Sequence, residues 1–355
     1  MTSKKIHLLL GLCSGLILII IGITGSILSF EQEVLAYLNK QTYKVPISTK
    51  EKLPTVKLLK TFETEQKNKK VDKIKFSNIE NKSFVIFSHD TQTNKKLTHH
   101  INPYNSDILV KEKGISFFRT VESIHRTLLL KDFGKNIVGI SVLIFLFLII
   151  SGIYLLVIKF KRKLTKMLVF NIKRKGNLLS NIHATLGIWI FPFYLVSILS
   201  GLNWSYPLYN DTLYKLLQIK KTPRNMKKET SQVKSSFENV SKAIKMFNDE
   251  VPQKYSYSLL SIPRNDSIYK FLYMDESAQH RRERNKLVLD IDSQKILSHD
   301  RFEDKPLKEQ IMISMLTIHT GEYFGLFGKI VMFIIALLLP ILCISGAFKY
   351  IKHKS

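Results

Sequence analysis

Four histidines, His7, His125, His183 and His319, recur in a matched pattern. His7 precedes Gly11 and Gly25, and His183 precedes Gly187 and Gly201, so both segments read H-x3-G-x13-G. His125 is followed by Phe133-Gly134-Lys135 and Ser151-Gly152, and His319 by Phe327-Gly328-Lys329 and Ser345-Gly346, all at one common offset. Paired imidazole nitrogens are the axial ligands with which a helical bundle holds haem, one from each side of the macrocycle. The chemistry implied is one-electron transfer at two haem b groups, each bis-histidine. No C-x-x-C-H occurs, so such haem would be held without a covalent link.

The elements that must position these histidines are four apolar runs, at residues 6–30, 137–158, 182–204 and 330–350. Each has about 20 or more residues, enough to cross roughly 30 Å of hydrocarbon as a helix. The first two carry no charged residue, and no charge falls in the middle of any of the four. A proton-coupled transporter or ion channel would place a carboxylate or lysine there, so transport is disfavoured. Pro192 and Pro340 read as kinks. Cys13 and Cys343 both lie within the runs, which leaves neither a disulfide framework nor a cysteine-held cluster. Lys4-Lys5 before the first run is signal-peptide-like, but the run is too long and no A-x-A site follows, so it reads as an anchor.

The net charge of +26 sorts by location. Lys4 and Lys5, eight basic residues between 159 and 175, and Lys349, Lys352 and Lys354 stand with no acid among them. By the positive-inside rule both termini and the basic loop at 159–181 are cytoplasmic, where they would meet anionic lipid headgroups. Residues 31–130, with 18 basic and 11 acidic residues, and the connection after the third run would then lie outside. Four membrane spans make nucleic acid an implausible partner for this basic chain.

The outer segments read as two small α+β modules, at 31–118 and 205–312. In the first, Leu53, Val56, Leu58, Leu59 and Phe62 mark a helix, followed by strands VDKIKFSNI and KSFVIFSHD and the hairpin KLTHHINPYNSDILVKEK. In the second, Val240, Ile244 and Phe247 mark a helix, followed by YSYSLLSIP, SIYKFLYMD and KLVLDIDSQKILSHD. Neither contains a Gly-rich phosphate loop or another catalytic motif. The fold class expected is membrane α+β, with four transmembrane helices as a duplicated two-helix unit.

His7 and His183 open the first and third runs and share the cytoplasmic edge; His125 and His319 precede the second and fourth and share the outer edge. Residues 119–158 and 313–350 read as amphipathic stretches continuing into transmembrane helices, with His125 and His319 about 12 and 11 residues outward of the apolar runs. One bis-histidine haem is thus expected near each membrane face, His7 with His183 and His125 with His319. The glycines permit close helix approach. Ser180, Thr120 and Thr320 are candidate partners that orient the imidazoles, and Arg126 and Arg119 candidate partners for haem carboxylates. Aromatics at the outer rim, Trp204, Tyr206, Tyr209, Tyr323 and Phe324, are candidate substrate contacts or interfacial anchors. His89, His99, His100, His280, His299 and His353 read as surface residues, with His99 and His100 on opposite faces of one strand.

The segments IHLLLGLCSGLILIIIGITGSILSF, SIHRTLLLKDFGKNIVGISVLIFLFLIISGIYLL, NIHATLGIWIFPFYLVSILSGLNW and TIHTGEYFGLFGKIVMFIIALLLPILCISGAF carry a resemblance to the PepSY-associated transmembrane family of bacterial inner-membrane proteins. The hairpins INPYNSDIL and LDIDSQKILS look like the ends of PepSY modules, the first with Asn-Ser where Thr-Gly is commoner. The resemblance covers nearly the whole chain. It implies periplasmic PepSY-like domains and, as in members that reduce ferric siderophores, two b-type haems relaying electrons from a cytoplasmic or quinol donor to a ferric siderophore docked between the outer domains. Reduction would loosen the chelate, because hard oxygen donors suit Fe(III) better than Fe(II). Two rival readings are a haem-free membrane-anchored PepSY protein that binds a protease or sensor partner, and an iron or siderophore permease.

Overall fold

The computed structural model describes residues 3–159, 178–219, 236–263 and 267–354. Most of the basic loop expected at 159–181 lies outside the described residues. The chain divides into two compact units.

The first unit comprises Met1–Glu33, Gly114–Ile219 and Ile313–Ser355. It contains α1 (Ser3–Ser29), which leads into α2 (Glu31–Leu38); α3 (Lys40–Tyr43) and α4 (Thr55–Glu65) follow in the second unit. The chain returns with α5 (Ile115–Thr127), α6 (Lys131–Lys159), α7 (Leu178–Ser205) and α8 (Pro207–Leu216). Among the described residues four segments are long and apolar enough to cross a membrane: Ser3–Ser29, Lys131–Ile158, Asn181–Ser205 and Glu322–Phe348. Several of their hydroxyl residues donate back to their own helix, as Ser14 does to Leu10 and Ser29 to Gly25, which satisfies those polar hydrogens within the span. Leu18, Ile149, Ile190, Tyr194, Ile198, Ile335 and Leu339 form the shared apolar seam, while Leu16, Ile140, Ile150 and Trp189 stay on the outside for lipid.

Pro340 removes a helical donor from the Ala336 carbonyl. Gly22 of α1 fits beside that carbonyl, where an added Cβ would come within 2.8 Å, and Tyr194 donates to the neighbouring Ile335 carbonyl at 3.0 Å. The Pro340 turn is thus packed into the bundle by its neighbours.

The second unit comprises Val34–Lys113 and Lys220–Met312. After β1 (Lys69–Phe76), β2 (Phe84–Asp90) and β3 (Lys96–Ile101), its later half supplies α9 (Phe237–Glu250), β4 (Tyr255–Ser261), β5 (Ile268–Asp275), β6 (Asn285–Asp290) and β7 (Lys295–Asp300). Then α10 (Leu307–His319) and, past a 3-10 turn at Glu322–Phe324, α11 (Gly325–Lys354) close the chain. Ser236 caps α9 by accepting from the Asn239 N–H.

The strands of the two expected modules join edge to edge in one antiparallel sheet, in the order β3-β2-β1-β4-β5-β6-β7. The seam is the pairing of Lys73–Phe76 in β1 with Ser258–Ser261 in β4. A period-two pattern states which face a residue takes and not which strand lies beside it. The hairpin after β3 is shorter than expected: past Ile101 only a bridge to Ile108 continues it.

One face of the sheet carries Ile74, Ile86, Leu260, Phe271, Tyr273 and Leu289 against Leu59 and Phe62 of α4 and Phe247 of α9. Phe247 is fully buried, stacked on Phe271 at 4.6 Å and edge-on to Tyr255 and Tyr273 at 5.3 and 5.4 Å. Phe247→Ala is expected to cost about 3–5 kcal/mol, seen as a lower urea midpoint of the β signal in circular dichroism of the full chain. Of the histidines read as surface residues, His99, His100 and His280 are buried. His99 and His100 do take opposite faces: His99 lies beside Phe62, His100 against Ser83.

Candidate functional site

The histidines expected to pair come together. The His7 and His183 rings have centroids 6.4 Å apart and planes at 89°; the His125 and His319 rings have centroids 6.4 Å apart and planes at 64°. His7 lies near the start of α1, and Thr24, the partner of His125, lies 17 residues further along the same helix. At 1.5 Å per residue the two pairs are about 25 Å apart along the bundle.

Each imidazole is oriented in the same way. His7 Nδ1 meets Ser151 Oγ at 2.8 Å, and His125 Nδ1 meets Thr24 Oγ1 at 3.0 Å. His183 Nδ1 meets the Leu342 carbonyl at 3.0 Å and Ser345 Oγ at 3.2 Å. His319 Nδ1 meets the Ser197 carbonyl at 3.0 Å and Ser200 Oγ at 3.2 Å. All four hydroxyls give their own proton to a carbonyl one turn back: Ser151 to Leu148, Thr24 to Ile20, Ser345 to Leu342 and Ser200 to Val196. At His183 and His319 the Nδ1 also meets a carbonyl, which can only accept, so the ring donates there. Nδ1 carries the hydrogen and the lone pair sits on Nε2, the nitrogen presented to a metal.

Each hydroxyl is followed by a glycine on which the ring rests. An added Cβ at Gly152, Gly25, Gly346 or Gly201 would lie 3.2–3.4 Å from Cε1 of His7, His125, His183 or His319 respectively. Burial pushes the His125 and His319 imidazoles below the usual histidine range, and the His125 ring is pushed further by its neighbour His319.

The route by which His125 and His319 reach the bundle differs from expectation. Neither lies on an outward extension of its transmembrane helix. Leu128, Leu129 and Lys131 take left-handed backbone conformations (φ 50°, 63° and 51°) and separate α5 from α6. Gly321 (φ 77°) and Gly325 (φ 65°) separate α10 from α11 in the same way. The turns are closed by the glycines of the two Phe-Gly-Lys segments: a Cβ at Gly134 would meet the Thr127 carbonyl oxygen at 1.8 Å, and one at Gly328 the Gly321 carbonyl oxygen at 2.3 Å. His125 is thereby delivered to α1 and His319 to α7.

The residues fit the group that the sequence suggests. An imidazole nitrogen binds a metal at about 2 Å and its ring centre lies roughly 1 Å behind, so two rings facing one ion have centroids about 6 Å apart. Among the described residues no cluster of three or more His, Cys, Asp or Glu side chains could hold a bare ion. A two-nitrogen set suits a cofactor that brings its own remaining donors, as a porphyrin does. At Gly187, four residues after His183 and so on its face of the helix, an added Cβ would meet nothing within 4 Å.

Other candidates are placed elsewhere. Arg126 is exposed and pairs with Glu122 at 3.0 Å, because the residue after His125 points about 100° away around the helix. Thr120 and Thr320 bond carbonyls of their own chain, Ser116 and Thr317, rather than an imidazole; the Ser180 side chain lies outside the described residues. Tyr206 and Tyr209 pack into the bundle, Tyr206 with its hydroxyl over Gly139 and Lys135 Nζ 6.0 Å from its ring centre. Trp204, Tyr323 and Phe324 remain largely exposed, so the five aromatics do not share one environment. Lys329, by contrast, is 6% exposed and pairs with Glu33, next to Gln32 and its partner Glu322. The sequence signal for the orienting hydroxyls was present: a Ser or Thr directly before Gly recurs at 24–25, 151–152, 200–201 and 345–346.

No curated protein matches the chain at a significant level. The model of the PepSY-associated TM region matches residues 4–352. With its four membrane-crossing helices and separate antiparallel sheet, the chain is a multi-pass membrane protein that belongs to the PepSY-associated TM region family.

Proposed function

We propose that the chain is a di-haem b-type oxidoreductase of the bacterial inner membrane that delivers electrons to a ferric siderophore on the periplasmic side. The carrying observation is the two imidazole pairs at 6.4 Å, every ring hydrogen-bonded at Nδ1 to a hydroxyl of another helix. A haem bound by each pair would supply reversible one-electron exchange at its iron. His7 with His183, and His125 with His319, would hold one such group each. Ser151, Thr24, Ser345 and Ser200 hold the tautomer and the ring plane, and Gly152, Gly25, Gly346 and Gly201 let the rings lie against the helices. The apolar seam of Leu18, Ile190, Tyr194, Ile198 and Leu339 excludes water between the two levels.

The matched halves support a duplicated two-helix unit, and the basic cytoplasmic flanks support periplasmic placement of the sheet. The rival permease reading would call for a charged residue in the middle of a span, and the four apolar runs carry none there. A haem-free anchor has no use for four oriented imidazoles.

The test is reoxidation. Protein reduced with dithionite and then freed of excess reductant is mixed anaerobically with a ferric siderophore while the haem spectrum is followed. Full reoxidation, with matching Fe(II) trapped by a ferrous chelator, is the expected result. A reduced spectrum unchanged over many minutes would remove the ferric chelate as substrate.

A further inference from the structure

The face of the sheet turned away from α4 and α9 is basic. Lys73 and Lys75 of β1 share it with Lys270 of β5 and Lys286 of β6, as the registers Lys75↔Leu259, Leu259↔Leu272 and Leu272↔Lys286 require. At its centre, Lys75 is partly buried with its Nζ 4.6 Å from the Tyr257 ring centre, and the positive charge of Arg284 acts on the Tyr257 hydroxyl. Burial, then Lys82, and less strongly Arg284 hold the Lys75 ammonium below the usual lysine range; Glu112 acts in the other direction.

That carboxylate is already engaged. Glu112 Oε1 accepts from the Tyr43 hydroxyl at 2.7 Å and lies 3.5 Å from His100 Nε2. Among the described residues Lys75, Lys82 and Arg284 form no ion pair; the Arg284 Nε instead donates to the Arg281 carbonyl. Half-buried cations without a carboxylate of their own are costly unless an anion joins them. They stand on a folded, hydrogen-bonded sheet, so a ligand would meet prearranged donors.

We propose that this basic face, centred on Lys75 and Tyr257 with Lys82 and Arg284 beside them, binds the ferric chelate as an anion, and that the substrate class is therefore a negatively charged, oxygen-donor complex such as a catecholate. The identity of the ligand rests on the reductase reading; the anion site itself rests on the cations. Charge-assisted hydrogen bonds from Lys and Arg to chelate oxygens would supply the recognition.

The experiment uses the full chain in detergent and a chelate that cannot be reduced. Gallium(III) tris(catecholate), a trianion, is titrated beside neutral gallium(III) tris(acetohydroxamate), with haem content measured on the same samples. The expected result is at least about tenfold tighter binding of the trianion, weakened about tenfold by Lys75→Gln or Arg284→Gln. Lys75→Arg should retain it, as should Lys60→Gln, which lies at an exposed pair with Glu238. Equal binding of both chelates, or trianion binding indifferent to both charge-removing variants, would overturn the site. Binding without haem would sink the reductase reading alone; two haems without anion binding would sink the anion site alone.

Discussion

Alanine at His319 is expected to halve the haem content of the purified protein and leave the remaining haem spectrally intact. His125→Ala should give the same product. His7→Ala and His183→Ala should also halve the content but spare the other haem, so the four variants fall into two classes. The reasoning is geometric: each ring belongs to one pair, and the pairs stand about 25 Å apart along the helices, too far for either to share a ligand with the other. Difference spectra and potentiometric titration of each variant separate the classes. Four variants that all lose both haems, or that all lose none, would contradict the pairing. A double variant across the pairs, His183→Ala with His319→Ala, should bind no haem while keeping the far-ultraviolet spectrum of the sheet unit.

Valine at Gly134 or Gly328 is the second large effect. The Cβ at Gly134 would fall 1.8 Å from the Thr127 carbonyl oxygen, and at Gly328 2.3 Å from that of Gly321. Both contacts are with backbone, so no side chain can swing aside to relieve them. Opening either turn costs on the order of 1–3 kcal/mol or more and draws His125 off α1 or His319 off α7. The expected outcome is loss of the haem held by His125 and His319 with the His7–His183 haem retained. If α5 instead ran on into α6 as one helix, valine for glycine there would be neutral or stabilising, because glycine is the poorer helix former. Retention of both haems in Gly134→Val would therefore speak against the turned-back geometry.

These turns mark the limit of what the sequence discloses. The spans are legible because long uncharged apolar runs have few other fates, and the pairing of His7 with His183 and His125 with His319 follows from the repeated spacings. The reversal after α5 is not legible: Leu128, Leu129 and Lys131 are ordinary helix formers, and their left-handed conformation is imposed by packing around Gly134. The orienting hydroxyls were sought at Thr120, Ser180 and Thr320, near the histidines along the chain. They come instead from other helices, as Ser151 does for His7 and Ser200 for His319. Sequence proximity is a poor guide in a bundle, whereas the repeated Ser/Thr-Gly pairs were the better signal.

The sheet shows the same division. Alternation placed β1, β2, β4 and β5 and chose their buried faces, because Ile74, Ile86, Leu260 and Phe271 sit where period two requires. The joining of two modules through β1 and β4 depends on complementary edges, and the edge of a strand leaves little trace in residue type. Once joined, the sheet gathers lysines from both halves on one face, an arrangement neither half displays by itself.

The most direct measurement is the reduced-minus-oxidised absorbance spectrum of the purified chain, with haem quantified per polypeptide. Two low-spin b-type haems per chain are predicted, each with the bis-histidine signature in electron paramagnetic resonance. No haem in protein produced with ample haem supply would contradict the central claim, and would leave the four oriented imidazoles as packing elements of a membrane anchor.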